Sequence, residues 1–107
     1  MKILIPGHLY ELDHLDGVNK SHLQFVDRDH GRDTEGTFNQ EVLRALIDRV
    51  QFLDAEKPWP LNQEIIHHLR MALVLHEARA LSRKVEKRQL RPEALAVGDD
   101  GHFIFLG

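Results

Sequence analysis

The sequence predicts an α+β fold: small N-terminal antiparallel strands, a long antiparallel αα-hairpin and a C-terminal β-hairpin. Three observations predict it. Short apolar runs with partial alternation lie near both ends of the chain, apolar residues recur at helical spacing through the middle, and Lys57-Pro58-Trp59-Pro60 interrupts that middle. A length of 107 residues matches one small domain with one modest core. No internal repeat, low-complexity tract or flexible linker divides the chain, so residues 1–107 are expected to form a single domain.

The N-terminal strands are expected within about residues 8–28. Leu9-Tyr10-Glu11-Leu12 and His22-Leu23-Gln24-Phe25-Val26 are separated by Asp16-Gly17, which suggests two strands of an antiparallel unit. Residues 29–36 lack any apolar side chain and carry two glycines, a loop composition. Helix 1 is expected over about 39–55. Thr37 followed by Gln40 makes a capping-box pattern, and Val42, Leu43, Leu46, Ile47, Val50 and Leu53 project onto one face. Pro58 and Pro60 end it, because proline disfavours helical geometry in the residue before it and lacks an N–H. Asn62 is placed to cap helix 2, with Gln63 and Glu64 in the first turn, where negative charge suits the helix dipole. Helix 2 is expected over about 62–89, ahead of Pro92. So short a connection makes the two helices antiparallel neighbours. Ala94-Leu95-Ala96-Val97 and His102-Phe103-Ile104-Phe105-Leu106 flank Gly98-Asp99-Asp100-Gly101, which predicts a hairpin over about 94–106.

Composition bounds the function. With 42% hydrophobic and 29% charged residues the chain is too apolar for disorder and too interrupted for a membrane span. The absence of cysteine excludes disulfides and thiolate catalysis and fits a reducing cytosol, although a cysteine-free secreted protein is not forbidden. The start, Met1 to Gly7, has one lysine and three apolar residues before Pro6, which no signal peptide fits, so a cytoplasmic location is expected. The net charge of −3 is unevenly spread. Residues 1–56 hold eleven acids against six bases, and residues 57–107 hold eight bases against six acids. Arg79, Arg83, Lys84, Lys87, Arg88 and Arg91 form either a solvated helix face or an anion site.

Enzyme signatures are weak. Of the eight histidines, His67 and His68 are adjacent and so point about 100° apart on a helix, while His68 and His76 lie two turns apart. No His-Glu-x-x-His pattern, nucleophile elbow or phosphate loop occurs, so neither a metal site nor a catalytic residue is expected. The carboxylate pairs Asp13/Asp16 and Asp99/Asp100 sit in turn-like sequence, where Asp serves its own local hydrogen bonds. An acidic chain is a poor ligand for double-stranded nucleic acid, although the 79–91 basic stretch leaves a regulatory role open.

What the helices leave uncovered is more informative. On helix 2, Ile65, Ile66, Leu69, Leu73 and Ala80 form the stripe that suits helix 1, while Met71, Val74, Leu75 and Ala78 fall roughly opposite. The second stripe packs on strands of the same chain, or on another subunit, or both. Phe52 projects off the helix 1 stripe, toward Ala45 and Asp48. It either packs on the N-terminal strands or Trp59, or offers a stacking surface for a ring. Arg79, on the flank of helix 2, either pairs with Glu77 or a helix 1 acid, or binds an anion. An aromatic ring, an amide (Asn62) and a guanidinium together are the ingredients of a nucleotide site.

These residues carry a family resemblance. Gly7-x-x-Tyr10-Glu11-Leu12, Leu23-Gln24-Phe25-Val26, Gly36-Thr37-x-Asn39-Gln40-Glu41-Val42-Leu43-x-x-Leu46-Ile47-Asp48-Arg49 and Asn62-x-x-Ile65-Ile66-x-x-Leu69-x-x-Ala72-Leu73 resemble the phage anti-Thoeris sponge proteins, relatives of the anti-CBASS sponges. The likeness spans roughly residues 7–91. Loop 29–36 is short for the pattern, and 94–106 lies outside it. The resemblance implies a helical-hairpin core, self-association as a dimer or hexamer, and capture without cleavage of a cyclic ADP-ribose isomer or a cyclic di- or trinucleotide. It also implies the cytoplasm of an infected bacterial host as the place of action, and no cofactor. A family aromatic late in the first helix is similar in place to Phe52, an asparagine opening the second helix to Asn62, a basic residue further on to Arg79, and an arginine after the second strand to Arg28. The implied pocket lies between subunits.

Overall fold

The computed structural model describes residues 1–28, 34–86, 95–97 and 103–105. It has the α+β composition expected, with antiparallel N-terminal strands followed by two helices. The chain falls into two compact units, Met1–Asn39 and Gln40–Gly107.

In the first unit, β1 (Lys2–Ile5), β2 (Leu9–Asp13) and β3 (Lys20–Gln24) form an antiparallel sheet in the order β1-β2-β3. The expected pair is β2 and β3, in register from Leu9 opposite Gln24 to Asp13 opposite Lys20. Between them Asp16 Oδ1 accepts the Val18 and Asn19 N–H groups at 2.8 and 2.9 Å, and Gly17 takes a φ of +74°, a conformation that suits glycine. Strand β1 is additional. Its Lys-Ile-Leu-Ile sequence shows no alternation, and the register slips between Ile3 and Ile5, so it gives no period-two signal.

Beyond β3 the chain stays tied to itself. Phe25 bridges Thr37 in parallel and Asp27 bridges Thr34 in antiparallel fashion. A Cβ at Gly36 would lie 2.6 Å from the Phe25 carbonyl carbon, so only glycine permits this approach. Of the expected loop 29–36, residues 29–33 lie outside the described residues, and Thr34 to Gly36 lead into these bridges.

In the second unit, α1 (Asn39–Glu56) and α2 (Asn62–Glu86) match the expected helices to within a residue at three of their four ends. The fourth, the stretch to residue 89, lies outside the described residues. Helix α1 begins two residues past Thr37, whose backbone N–H bonds the Gln24 carbonyl at 2.9 Å. Strands β4 (Leu95–Val97) and β5 (Phe103–Phe105) pair antiparallel. The rest of the expected 94–106 hairpin, its turn included, lies outside the described residues.

The core of the helical pair is narrow. Ile47, Ile66 and Leu73 are its buried members, and Leu43, Val50 and Leu69 pack against them. All six belong to the stripes that helical spacing selects. Leu46, Leu53 and Ile65, from the same stripes, are instead exposed, because they lie toward one edge of the seam.

Leu73 is fully buried, so Leu73→Ala should destabilise the protein by about 2–5 kcal/mol, read as a lower midpoint in urea unfolding. In the sheet, hydrogen bonds from Lys20 and from the Met1 amino group pull the Asp13 carboxyl down from 3.8 to about 2. A depressed carboxylate pKa contributes stability that is complete above pH 3.8 and fades as pH falls toward 2. Carbon-detected NMR titration should place the Asp13 midpoint about two units below that of an unfolded-chain aspartate.

Candidate functional site

The site residues are positioned by how α1 and α2 are tied together. Taking 100° per residue, Asp54 falls in line with Ile47 and Val50 on α1, and Asn62 and Glu77 fall in line with Ile66 and Leu73 on α2. Both ends of the apolar seam are therefore polar. At the connection, Asn62 Nδ2 donates to Asp54 Oδ1 at 2.9 Å, the Trp59 N–H reaches the same oxygen at 3.3 Å, and Gln63 Nε2 reaches Oδ2 at 3.4 Å. At the other end Arg44 donates to Glu77 at 2.8 Å, with Glu41 a further partner at 3.2 Å.

The Asn62 bond, followed by those from Trp59 and Gln63, holds the Asp54 carboxyl below its ordinary range, against the opposing pull of burial. The carboxylate is thus ionised at neutral pH and acts as an acceptor only. Asn62 was expected to cap α2, but it is the first helical residue. The capping position falls on Leu61, whose carbonyl accepts the first intrahelical bond, from Ile65, at 3.1 Å. The Asn62 amide is spent on the interhelical tie instead.

Phe52 is 54% exposed, so about half of its side chain is open to solvent. Arg79 is exposed and forms no ion pair among the described residues. Its expected partner Glu77 is taken by Arg44, because position 77 faces the seam and position 79 does not. Arg79 instead borders an open groove of about 280 Å³ lined by Ala72, Leu75 and His76, with Leu75 66% exposed. Met71 and Ala78, on the second stripe of α2, are exposed as well.

A single copy does not gather these groups. Asn62 and Arg79 are seventeen residues apart on one continuous helix, which separates them by about 26 Å along the axis and about 100° around it. Phe52 lies near the connection, at the Asn62 end, but its position on α1 points away from the seam. Arg28 belongs to the first unit, where it is exposed and pairs with Glu35 at 3.1 Å.

The first unit has its own enclosed feature, which sequence reading did not single out. Asp27 is 2% exposed, and its carboxylate stands 3.6 Å from His8 Nε2 beside a cavity of about 90 Å³ bordered by Leu9, Gln24, Phe25 and Thr34. The backbone of Asp27 is bonded in both directions to Thr34, at 3.0 and 2.8 Å, and these main-chain bonds anchor the segment that carries Arg28. Among the described residues no group of three or more His, Asp or Glu side chains is placed to hold a metal ion, and no helix is long and apolar enough to cross a membrane.

Comparison of the chain with protein-family models, with curated proteins and with solved structures gave no match.

The Asp54 tie makes a prediction about pH. Because the folded-state pKa lies below the ordinary 3.8, the contribution of this tie is complete above that pH and is lost as pH falls through the depressed value. Trp59 fluorescence, reporting on the connection, should stay constant from neutrality to about pH 4 and change only below it. In Asp54→Asn that acid step should be absent.

Proposed function

We propose that the protein captures a cyclic nucleotide signal, of the cyclic ADP-ribose type, at a site completed by a second copy of itself, and releases it unchanged. One observation carries the reading. Arg79, unpaired among the described residues, borders an apolar groove on a helix face where Met71, Leu75 and Ala78 are exposed and Val74 is half-buried. A guanidinium there offers a bidentate fork for a pyrophosphate, and exposed Phe52 offers a ring face for a base.

The resemblance to the anti-Thoeris sponges supports the same residues, adds Asn62 as an amide that would read a base edge or the ribose, and implies with them an anti-immune role in the cytoplasm of an infected bacterium. The groove volume of about 280 Å³ lies at the lower edge of small-molecule sites, which run about 300–1,000 Å³. A second wall from a partner copy would enclose it. Stoichiometric capture requires an affinity near nanomolar, about −12 kcal/mol. Base stacking on Phe52 would supply about 1–3 kcal/mol of that. The resemblance also implies Arg28 as a further cation; in the first unit its pair with Glu35 is exposed. Cyclic di- and trinucleotides offer the same ring and phosphate chemistry and are the alternative ligands. A ligand-free structural or regulatory oligomer is the alternative from another class, and a hydrolase of the same signal would return altered nucleotide after heat denaturation.

Calorimetry with cyclic ADP-ribose isomers tests the reading. Phe52→Ala and Arg79→Ala should each keep the thermal midpoint and lose binding at least tenfold, a change of about 1.4 kcal/mol or more. Mixing the two variants should then restore uptake. If the site combines Phe52 of one copy with Arg79 of its partner, random pairing into two-fold dimers leaves roughly a quarter of sites intact. Unchanged affinity in both single variants would refute the assignment.

A further inference from the structure

We infer that Asp54 is a positioning residue that turns the Asn62 amide so that its oxygen faces the ligand, and that the site therefore reads a hydrogen-bond donor, the exocyclic amine of an adenine ring. The inference rests on the capture proposed above and specifies which face of the ligand Asn62 meets.

An amide presents an NH2 donor at one end and a carbonyl acceptor at the other, and only its surroundings decide which way each points. Asp54 decides here. Its ionised carboxylate has no hydrogen to give, so the end of Asn62 that meets it at 2.9 Å is the NH2. Turning the amide over would set a carbonyl oxygen against a carboxylate oxygen. Trp59 and Gln63 hold the same carboxylate on its other sides, which keeps Asp54 from following such a turn. Among the described residues no hydrogen bond reaches the Asn62 oxygen, and the side chain is only half-buried. An acceptor is thus held at the start of α2, at the same end of the hairpin as Phe52.

The chemistry of the ligand follows. Adenine carries an amine that donates, whereas hypoxanthine and guanine carry a carbonyl oxygen at that place, which would meet the Asn62 oxygen acceptor to acceptor. A ribose hydroxyl donates and accepts equally and would leave the two rings undistinguished. Selectivity between amine and carbonyl therefore separates base reading from sugar reading at Asn62. It also separates positioning by Asp54 from mere bracing of the connection, because bracing affects every ligand alike.

The test pairs cyclic ADP-ribose and its linkage isomers, each with its hypoxanthine counterpart, in calorimetric titrations of the wild-type protein and of Asp54→Asn. In the wild type the hypoxanthine ring should bind roughly tenfold or more weakly, the scale of one unmatched acceptor in a ligand site. In Asp54→Asn the new amide can donate to the Asn62 oxygen and lets Asn62 turn over, so the preference should shrink to within about threefold. A wild-type protein that takes up both rings equally overturns the inference and leaves capture standing. Full selectivity retained by a folded Asp54→Asn also overturns it. If the wild type takes up none of these nucleotides, capture itself is refuted and the inference falls with it. Should Asp54→Asn fail to fold, the wild-type ratio alone decides.

Discussion

Asp54 and Asn62 close one end of the seam between α1 and α2, while Arg44 and Glu77 close the other, with Ile47, Ile66 and Leu73 buried between them. This arrangement fixes which helix faces are available for anything else. A buried stripe of three residues gives little directional information, since aliphatic side chains pack in several registers at similar free energy. Hydrogen bonds do not tolerate such sliding, and a half-buried polar group left without its partner is penalised. One pair at each end therefore sets the register of α2 against α1. Once the register is set, Phe52, Arg79, Met71 and Leu75 have no place in the seam and face outward.

The commitment of each polar group decides its availability. Glu77 lies nearer to Arg79 in sequence than any other acid on α2, yet it bonds Arg44 across the seam. Two residues on a helix point about 200° apart, so the pairing that looks local in sequence is the one geometry forbids. Asn62 shows the converse. Its amide looks like a helix cap, but the helix starts one residue early and the amide turns to Asp54. A group can be half engaged, and half-engagement orients it. Arg28 is engaged as well, through Glu35, but on the surface, where an ion pair is worth about 0–1 kcal/mol and gives way readily to a stronger anion.

Much of the fold was legible in the sequence. The two helices follow from apolar spacing and from prolines that end α1, since each of those signals acts within a few residues. Strands β2 and β3 follow from alternation around Asp16-Gly17. Strand β1 was not legible, because Lys2–Ile5 forms an edge whose side chains are mostly exposed and so carry no buried face to mark. The site was legible only in part. Phe52 and Arg79 could be placed off the core stripes by angle alone, and both are exposed as that placement implies. Asp54 was missed, although a signal existed. It falls seven residues after Ile47 and four after Val50, so an acid stands on the core face of α1, where only a partner from α2 explains it. Arg44 opposite Glu77 has the same logic and was missed for the same reason: apolar periodicity discards polar residues before asking which way they point. The buried Asp27 carried no sign in its immediate sequence: its backbone bonds Thr34 further along the chain, and its carboxylate stands beside His8 from the preceding strand region.

Distance along α2 constrains any site built from these residues more than their chemistry does. About 26 Å separates Asn62 from Arg79, longer than a dinucleotide-sized ring compound, so no single copy brings amide and guanidinium to one ligand. Two parallel copies set side by side in register would preserve the separation, placing each Arg79 beside the other. Two antiparallel copies would remove it, because reversal carries the Arg79 end of one helix to the Asn62 end of its partner. Charge favours the same choice. The start of α2 carries Glu64 and the positive end of the helix dipole, and its far end carries Arg79, Arg83 and Lys84 at the negative end. Antiparallel helices cancel their dipoles and set the basic end of each against the acid of the other, whereas parallel helices would stack three cations on three. The exposed stripe of Met71, Leu75 and Ala78 runs between those two ends. An apolar contact there, with complementary charge at its borders, would give two-fold symmetry and two equivalent sites from one interface.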